Sequence, residues 1–572
     1  MMMRKFLNCN ILGLMTKFHI ENKIIRKRLQ NFATRNICFD NSYEIVCNIL
    51  MYIIPIIFKF NKNEKPHKKI STINKSKQLK DDLFFKFTLI PGKCEAPLFI
   101  AFRKYFSDKL KIKQMKIVTI IFLSFFGFQS GVFAQVTTAA SNDSTLSKTI
   151  KKRPWLAAVE VIGTNIIINR FDANVRNVEW AKVTPESCKA NLKAGLQTDF
   201  DYFTTNWLGH PFHGSLMYNA ARCNGYNFWQ SIPFTLGGSF MWEYFAETEV
   251  PSKADLINTT LGGIYLGELT HRIVDIFVRK IKKPVLKHTL TAIVNPMSQI
   301  NSLIVKGSNK PDTAFNPLIN GQFSVGGSIP FGNDQYNILG KGAYIGLNLT
   351  YGDLFTKTQK KYKPFDYFRV NSSLVLNFED STSIYFTLQS NAPLFVKHLN
   401  KNAVLSVSQH YDYLTSNMYK IGAMTISGDY SFQHLWHNNN YLMASLKAGF
   451  IIIGSSQSEI ISQIYNTDKP YFFRDYTFGN GFKAAADIFF STKKMGKISC
   501  NINKWVLYAS DTKGTDNLVL TTVEYNYPIG KKLNIGLQSS YFKRTADYND
   551  FSDYRNIKNE YYNFRVLAGL RF

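Results

Sequence analysis

From Asn320 to Phe572 the chain alternates apolar and polar residues with a period of two, the mark of strands with one face in each of two media. The last segment is the clearest. Phe572, Leu570, Ala568, Val566, Phe564 and Tyr562 share one face, and Arg571, Gly569, Leu567, Arg565, Asn563 and Tyr561 share the other. Only Leu567 breaks the rule of apolar outside and polar inside. Leu533, Ile535 and Leu537 alternate in the same way with Asn534, Gly536 and Gln538, and Phe368, Val370, Leu374, Leu376 and Phe378 with Arg369, Asn371, Ser373 and Asn377. Ala343, Ile345, Leu347, Leu349 and Tyr351 form another such face, as do Val519, Thr521, Val523, Tyr525 and Tyr527. The polar stretch Lys543–Glu560 reads as a long loop. The pattern predicts an antiparallel transmembrane β-barrel over 311–572 with about 12 strands, and 10–14 as the range. The range reflects loop parity: Asp380-Ser381-Thr382 is a short turn where long loops are due. A secreted β-sandwich would share the period, but not the polar inner face joined to a terminal aromatic.

Residues 154–310 change period. Pro233–Glu249 and Ser252–Arg279 have helical spacing. Pro251-Ser252-Lys253-Ala254-Asp255 reads as a helix start, with Ser252 as N-cap and Asp255 reaching back to complete a capping box. Thr259, Gly263 and Gly267 follow at intervals of four, a stripe on which another helix can lie closely. Pro211 suits the first turn of a further helix, with His210 as its N-cap, and Gly225 suits its end. The fold class is therefore α+β, a helical region followed by the barrel.

The front of the chain reads differently again. Met115-Lys116, the apolar run Ile117–Phe133 and Val132-Phe133-Ala134 before Gln135 have the anatomy of a secretory signal peptide over 115–134. A membrane anchor is the weaker alternative, since the run is short and includes Gln129 and Ser130. Residues 1–114 show no sustained period and read as a mis-assigned start; the rival is a basic cytoplasmic arm. Residues 135–153 are a linker. Export and the barrel together place the protein in the outer membrane.

Composition narrows the function classes. The chain of 572 residues has 45% hydrophobic and 15% aromatic residues, which excludes general disorder. A mean hydropathy of −0.14 is too low for a bundle of long apolar spans, but an alternating barrel hides its hydrophobicity from such an average. The formal charge of +29 suggests nucleic acid until its distribution is seen: residues 1–114 alone hold 23 Lys and Arg against 8 Asp and Glu. No nucleic-acid partner is expected. Seven cysteines cannot make a disulfide scaffold, and Cys188, Cys223 and Cys500 match no metal or redox spacing. The chain has no phosphate-binding glycine loop and no nucleophile elbow.

The residues that could do chemistry concentrate in the helical region. The catalytic candidates are His210, His213, Glu243 and Glu247, the last two being one helical turn apart. Arg222, Asp255 and Glu268 are candidates for a structural polar cluster. Glu243 lies among Phe240-Met241-Trp242 and Tyr244-Phe245, where a carboxylate needs a partner, and His210, His213 and Arg222 are the nearest donors. Two histidines and a carboxylate could hold a metal, and a Glu–His pair could run acid–base chemistry. Neither spacing is specific. Hydrogen bonding between helices is the reading preferred, with no metal and no cofactor expected.

Asn206-Trp207-Leu208-Gly209-His210-Pro211-Phe212-His213-Gly214, Trp242-Glu243-Tyr244, Pro251–Leu256 and Gly262–Glu268 together resemble the domain of unknown function 3943 family, exported bacterial envelope proteins without an assigned activity. A vaguer likeness, over one helix pair, is to membrane-associated proteins of the VanZ type. Three roles follow as expectations. The first is a structural, envelope-maintenance or binding protein whose helical region is periplasmic or plugs the lumen. The second is an envelope-lipid-modifying enzyme using the His/Glu residues, and the third a plugged pore. The expected partners are outer-membrane lipid, the barrel-assembly machinery through Phe572, and a small-molecule or lipid ligand. N-terminal sequencing of the mature protein should begin at Gln135; a mature chain that retains residues 1–114 would overturn the leader.

Overall fold

The computed structural model describes residues 151–305, 317–332, 341–356, 362–378, 384–416, 419–437, 440–461, 474–510, 512–548 and 557–572. The basic segment, the leader and most of the linker lie outside the described residues.

Twelve antiparallel strands close into one barrel. They are β1 Ile319–Gly332, β2 Gly342–Tyr351, β3 Phe368–Asn377, β4 Ile384–His398, β5 Ala403–Thr415, β6 Lys420–Leu435, β7 Tyr441–Gln457, β8 Tyr476–Thr492, β9 Gly496–Ala509, β10 Gly514–Ile529, β11 Leu533–Tyr548 and β12 Ile557–Arg571. β12 closes on β1, from Gln322 opposite Arg571 to Gly332 opposite Tyr561. The count is the one that the alternation implies. Strict loop parity does not hold. The links at 416–419 and 510–513 are short on the rim that carries the long link 458–475, and 352–367 is long on the opposite rim. The stretch Lys543–Glu560, expected as a loop, is strand at both ends, because Arg544 turns into the lumen and pairs with Asp516 at 2.9 Å.

Contacts between strands that are not neighbours identify the lumen, since they can meet only across it. Lys483 of β8 reaches Asp412 of β5 at 2.6 Å, and the Trp505 indole of β9 donates to the same carboxylate at 3.0 Å. Arg369 of β3 reaches Asp487 of β8 at 3.3 Å, and Lys447 joins it at 2.7 Å. The opposite faces are apolar and exposed: Tyr562, Phe564 and Val566 on β12, Leu533, Ile535 and Leu537 on β11, Val523, Tyr525 and Tyr527 on β10. Polar inside and apolar outside in a closed sheet is the architecture of an outer-membrane barrel.

The described helices precede it: α1 Pro154–Phe171, α2 Pro185–Ala194, α3 His210–Cys223, α4 Phe228–Phe245, α5 Lys253–Ile257, α6 Gly263–Lys280, α7 Pro284–Val294 and α8 Pro296–Ile304. A π-helical turn, Thr205–Gly209, runs straight into α3, and another, Asn258–Gly262, joins α5 to α6. The small-residue stripe meets α3. A Cβ on Gly214 would sit 1.8 Å from the Thr259 carbonyl oxygen, and one on Gly263 2.5 Å from Gly214 Cα. The two helices therefore touch backbone to backbone, which only glycine allows at these positions.

This bundle neither plugs the lumen nor hangs below the barrel, which corrects the expected placement. It lies on the outer wall. His410 and Asp412 of β5 face the lumen, so Gln409, Tyr411 and Tyr413, which alternate with them, face out. Yet all three are buried. The Tyr411 hydroxyl donates to the Trp207 carbonyl, Gln409 to the Leu261 carbonyl at 3.3 Å, and Phe203 packs 5.4 Å from Tyr413. On β4, Ser390 faces out and accepts the Tyr265 hydroxyl at 2.7 Å. Tyr351, Phe368, Val370, Met424, Tyr476 and Phe478 join the same apolar cluster as Trp207, Tyr218, Ile264 and Leu269. The described end of the link 352–367 lies on the bundle: Phe365 is 5.0 Å from Tyr265, and Asp366 pairs with Arg272 at 3.2 Å.

A Cβ on Gly422 of β6 would fall 2.2 Å from the Trp207 ring. Gly422→Leu should therefore loosen the bundle, by about 1–3 kcal/mol for an overpacked contact, and leave the barrel closed. Cleavage by trypsin in the exposed Lys189–Lys193 segment should rise while the unboiled protein keeps its fast gel mobility. Unchanged cleavage would show that this contact does not hold the bundle.

Candidate functional site

Among the described residues, three buried groups in the helical bundle are built on carboxylates. The first is built on Glu268 of α6, which is fully buried. Arg222 of α3 binds it twice, at 2.6 and 3.0 Å; Arg272 donates at 2.9 Å and the Tyr218 hydroxyl at 2.8 Å. Burial alone would raise the Glu268 pKa, but the two guanidinium groups outweigh it and hold the carboxyl well below its usual range. Arg222 and Glu268 are thus a structural ion pair. The second group is Glu160 of α1, which accepts from Asn224 at 2.9 Å and Asn301 at 3.0 Å.

The third is the candidate site. His210 opens α3 directly after a π-helical turn, so it is not the N-cap that its place before Pro211 suggests: Gly209 before it is already helical. Its Nε2 lies 3.3 Å from Asp255 Oδ1 and 3.8 Å from Asp201 Oδ2, and its Nδ1 lies 3.2 Å from the Thr259 hydroxyl. Ser252 caps α5 by accepting the Asp255 N–H at 3.0 Å, as its sequence implies. The other half of the capping box is replaced. Glu243, not Asp255, accepts the Ser252 N–H, at 2.9 Å. That substitution frees the Asp255 carboxylate to turn to His210. Glu247 and Asp199 complete the group.

Five carboxyl groups thus share one cluster with the imidazole. Burial pushes Glu243 up to about 7, and burial with neighbouring carboxylates holds Glu247 and Asp255 well above the usual carboxylate range. Burial opposes charge on His210, but Asp201, Glu243 and Asp199 outweigh it and raise its pKa. The group opens to the surface through Asp201, whose side chain is 51% exposed, whereas that of Asp255 is 7% exposed. Asp201, His210 and Asp255 offer ligand atoms within 4.8 Å of one another and are the residues that could hold a metal ion.

Of the candidates read from sequence, His210, Glu243, Glu247 and Asp255 meet here. His213 does not. One turn further along α3, it faces α1 and α4, with Nε2 2.9 Å from Asn165 Oδ1 and its ring edge-on to Trp242 at 4.6 Å. Arg222 and Glu268 stand apart in their own cluster. The sequence reading missed Asp199, Asp201 and Thr259. The two aspartates lie in an irregular segment without periodicity, and their only signal is their position shortly before the Trp-Leu-Gly-His-Pro motif.

Burial holds the His213 imidazole down to about 3 from an ordinary 6.5. The unfolded chain therefore binds a proton that the folded one refuses, and this residue's contribution is whole above pH 6.5 and lost as pH falls toward 3. His213→Gln should cost about 1 kcal/mol at pH 8 for the altered hydrogen bond. Its deficit should close by about 1.4 kcal/mol per unit as pH falls below 6.5. Denaturant unfolding in micelles, followed by tryptophan fluorescence, measures this. A deficit independent of pH would mean that His213 is not held neutral.

Residues 195–297 match one family model, described as "Domain of unknown function (DUF3943)". That segment contains α3 to α7 with all six residues of the site. No curated protein matches the chain. Among solved structures, the NanC porin is 10% identical, over 43% of this chain and 98% of its own, with a TM-score of 0.24. The COG4313 outer membrane channel from Pseudomonas putida F1 is 9% identical, over 45% and 96%, with a TM-score of 0.22. The outer membrane protease OmpT from Escherichia coli is 9% identical, over 44% and 96%, with a TM-score of 0.16. Likeness at these scores carries no activity across. The chain carries a DUF3943 domain, docked on the outer wall of a twelve-stranded β-barrel.

Proposed function

We propose that the barrel anchors the helical domain within the lipid phase of the outer membrane, where the domain binds an envelope lipid or another lipid-phase ligand. One observation carries this reading: two of its helices, α1 and α4, are inside out. On α1 the buried positions include Glu160, Asn165 and Asn169, while Trp155, Val159, Ile162, Ile166, Ile167 and Phe171 are exposed. On α4, Ser231, Thr235, Ser239 and Glu243 are buried, while Trp229, Leu236, Phe240 and Phe245 are exposed. A helix in water has the opposite arrangement. Polar residues turned to the bundle interior and apolar ones turned out are what a lipid environment favours.

No described helix is long and apolar enough to cross a membrane on its own. The barrel wall compensates, holding short helices at the level of the apolar belt. The lumen supports the anchoring role over the plugged pore, because its own side chains cross it in the Lys483–Asp412–Trp505 and Arg369–Asp487–Lys447 contacts. A second reading, a lipid-modifying enzyme, draws on the position of His210 between Asp255 and the exposed Asp201, where an imidazole can pass protons. Phe572 suits a signal read by the assembly machinery: its backbone pairs with Gly321 of β1 at 2.9 Å in both directions, at the seam where the barrel closes.

Quenching by brominated phospholipids tests the lipid-phase placement. In single-tryptophan variants reconstituted in bilayers, Trp155, 84% exposed, and Trp229, 44% exposed, should be quenched, and Trp505, buried in the lumen, should not. Trp155 and Trp229 emission that ignores the bromines would place the domain in water and end this reading.

A further inference from the structure

We infer that Asp201, His210 and Asp255 form a binding site for one divalent transition cation, of the zinc or manganese kind. The imidazole is already oriented for it. Nδ1 lies 3.2 Å from the Thr259 hydroxyl, and in the tautomer in which Nδ1–H donates to that hydroxyl a lone pair is left on Nε2. Such a bond from the second ring nitrogen is the usual support of a metal-bound histidine. Nε2 points into the carboxyl group and has no hydrogen-bond partner among the described residues, although the residue is only 9% exposed. Asp255 Oδ1, 3.3 Å away, is likewise buried and without such a partner. A ring nitrogen and a carboxyl oxygen this close need something positive between them, and either a proton or a metal ion can fill that place.

The spacing fits a metal. Ligands about 2.1 Å from a tetrahedral cation are about 3.4 Å from one another. The Nε2 distances to Asp255 and Asp201 are 3.3 and 3.8 Å, and all three ligand atoms lie within 4.8 Å. An imidazole with two carboxylates favours zinc or manganese over calcium or magnesium, which prefer oxygen alone. Charge points the same way. Asp199 and Glu243 stand behind the three ligands with no arginine or lysine pairing to them among the described residues, and Arg222 and Arg272 are both committed to Glu268. Asp201, the exposed ligand, supplies the way in and leaves a coordination position toward the surface.

This site does not depend on the lipid-phase reading and is tested in detergent, so either can fail alone. The full mature protein, stripped with chelator, is titrated with manganese by electron paramagnetic resonance and with zinc by calorimetry. One cation per chain is expected. Asp201→Asn and His210→Gln should each weaken binding at least tenfold, and His213→Gln should leave it unchanged. Asp201 is half exposed, so its variant tests the site even if changes at buried positions disturb folding; fast gel mobility before boiling and an unchanged tryptophan spectrum check that. X-ray absorption of the zinc form should show one imidazole, absent in His210→Gln. Absence of binding to the wild type, equal affinity in Asp201→Asn, or zinc ligation without an imidazole would each overturn the site.

Discussion

Where the carboxylates and amides of the helical domain can go constrains everything else in it. The outer faces of α1 and α4 are apolar, and Glu160, Asn165, Glu243, Asp255 and Glu268 are buried, so they must find partners within the bundle or keep their protons. They do so in separate places. Glu268 takes two arginines and a tyrosine, Glu160 takes two asparagines, and the carboxyl group around His210 has one imidazole among five acids. Glu268 is neutralised by its arginines, Glu160 is hydrogen-bonded by its amides, and both hold helices together. The third group is not neutralised, and that imbalance separates a site from a structural cluster.

The close approach of α3 and α6 makes this arrangement possible. Gly214 against Thr259 and Gly263 brings the two π-helical turns side by side, which sets Thr259 beneath His210. A π-helical turn adds a residue to the helix and shifts the direction of the side chains beyond it, and such turns recur at functional sites. The barrel completes the bundle from one side. Tyr411, Tyr413 and Gly422 occupy outward positions that would face lipid on an isolated barrel, and here they form half of a protein core.

The barrel was legible because a two-residue period survives any local disturbance; the faces of β2, β3, β11 and β12 follow directly from counting. The Ser252 cap and the Thr259–Gly263–Gly267 contact were legible for the same kind of reason, since each depends on residues a few positions apart. What covers an outward face was not legible. Tyr411 under a helix and Tyr562 under lipid have the same alternation, because both surroundings are apolar. The site was half legible. Glu243 among aromatics announced a buried carboxylate, and His210 beside Pro211 announced a helix start. Their junction depends on Glu243 taking the Ser252 N–H from Asp255, an exchange between α4 and α5 that no spacing within one helix encodes. Asp199 and Asp201 belong to an irregular segment and had no period to be read from.

The outer-wall position of the bundle also fixes an order of events in biogenesis. Trp207 waits for Gly422, and Tyr265 for Ser390, partners that are synthesised long after them. These are contacts of high sequence separation, slow to form. The helical domain leaves the ribosome first, yet it cannot be completed until β4, β5 and β6 stand side by side. Until then its tryptophans and isoleucines are exposed to water, a surface prone to aggregation. The strands must therefore lead and the helices follow, so that the N-terminal domain is the last part of the molecule to reach its native state, and a holding chaperone has more to protect in the helices than in the barrel.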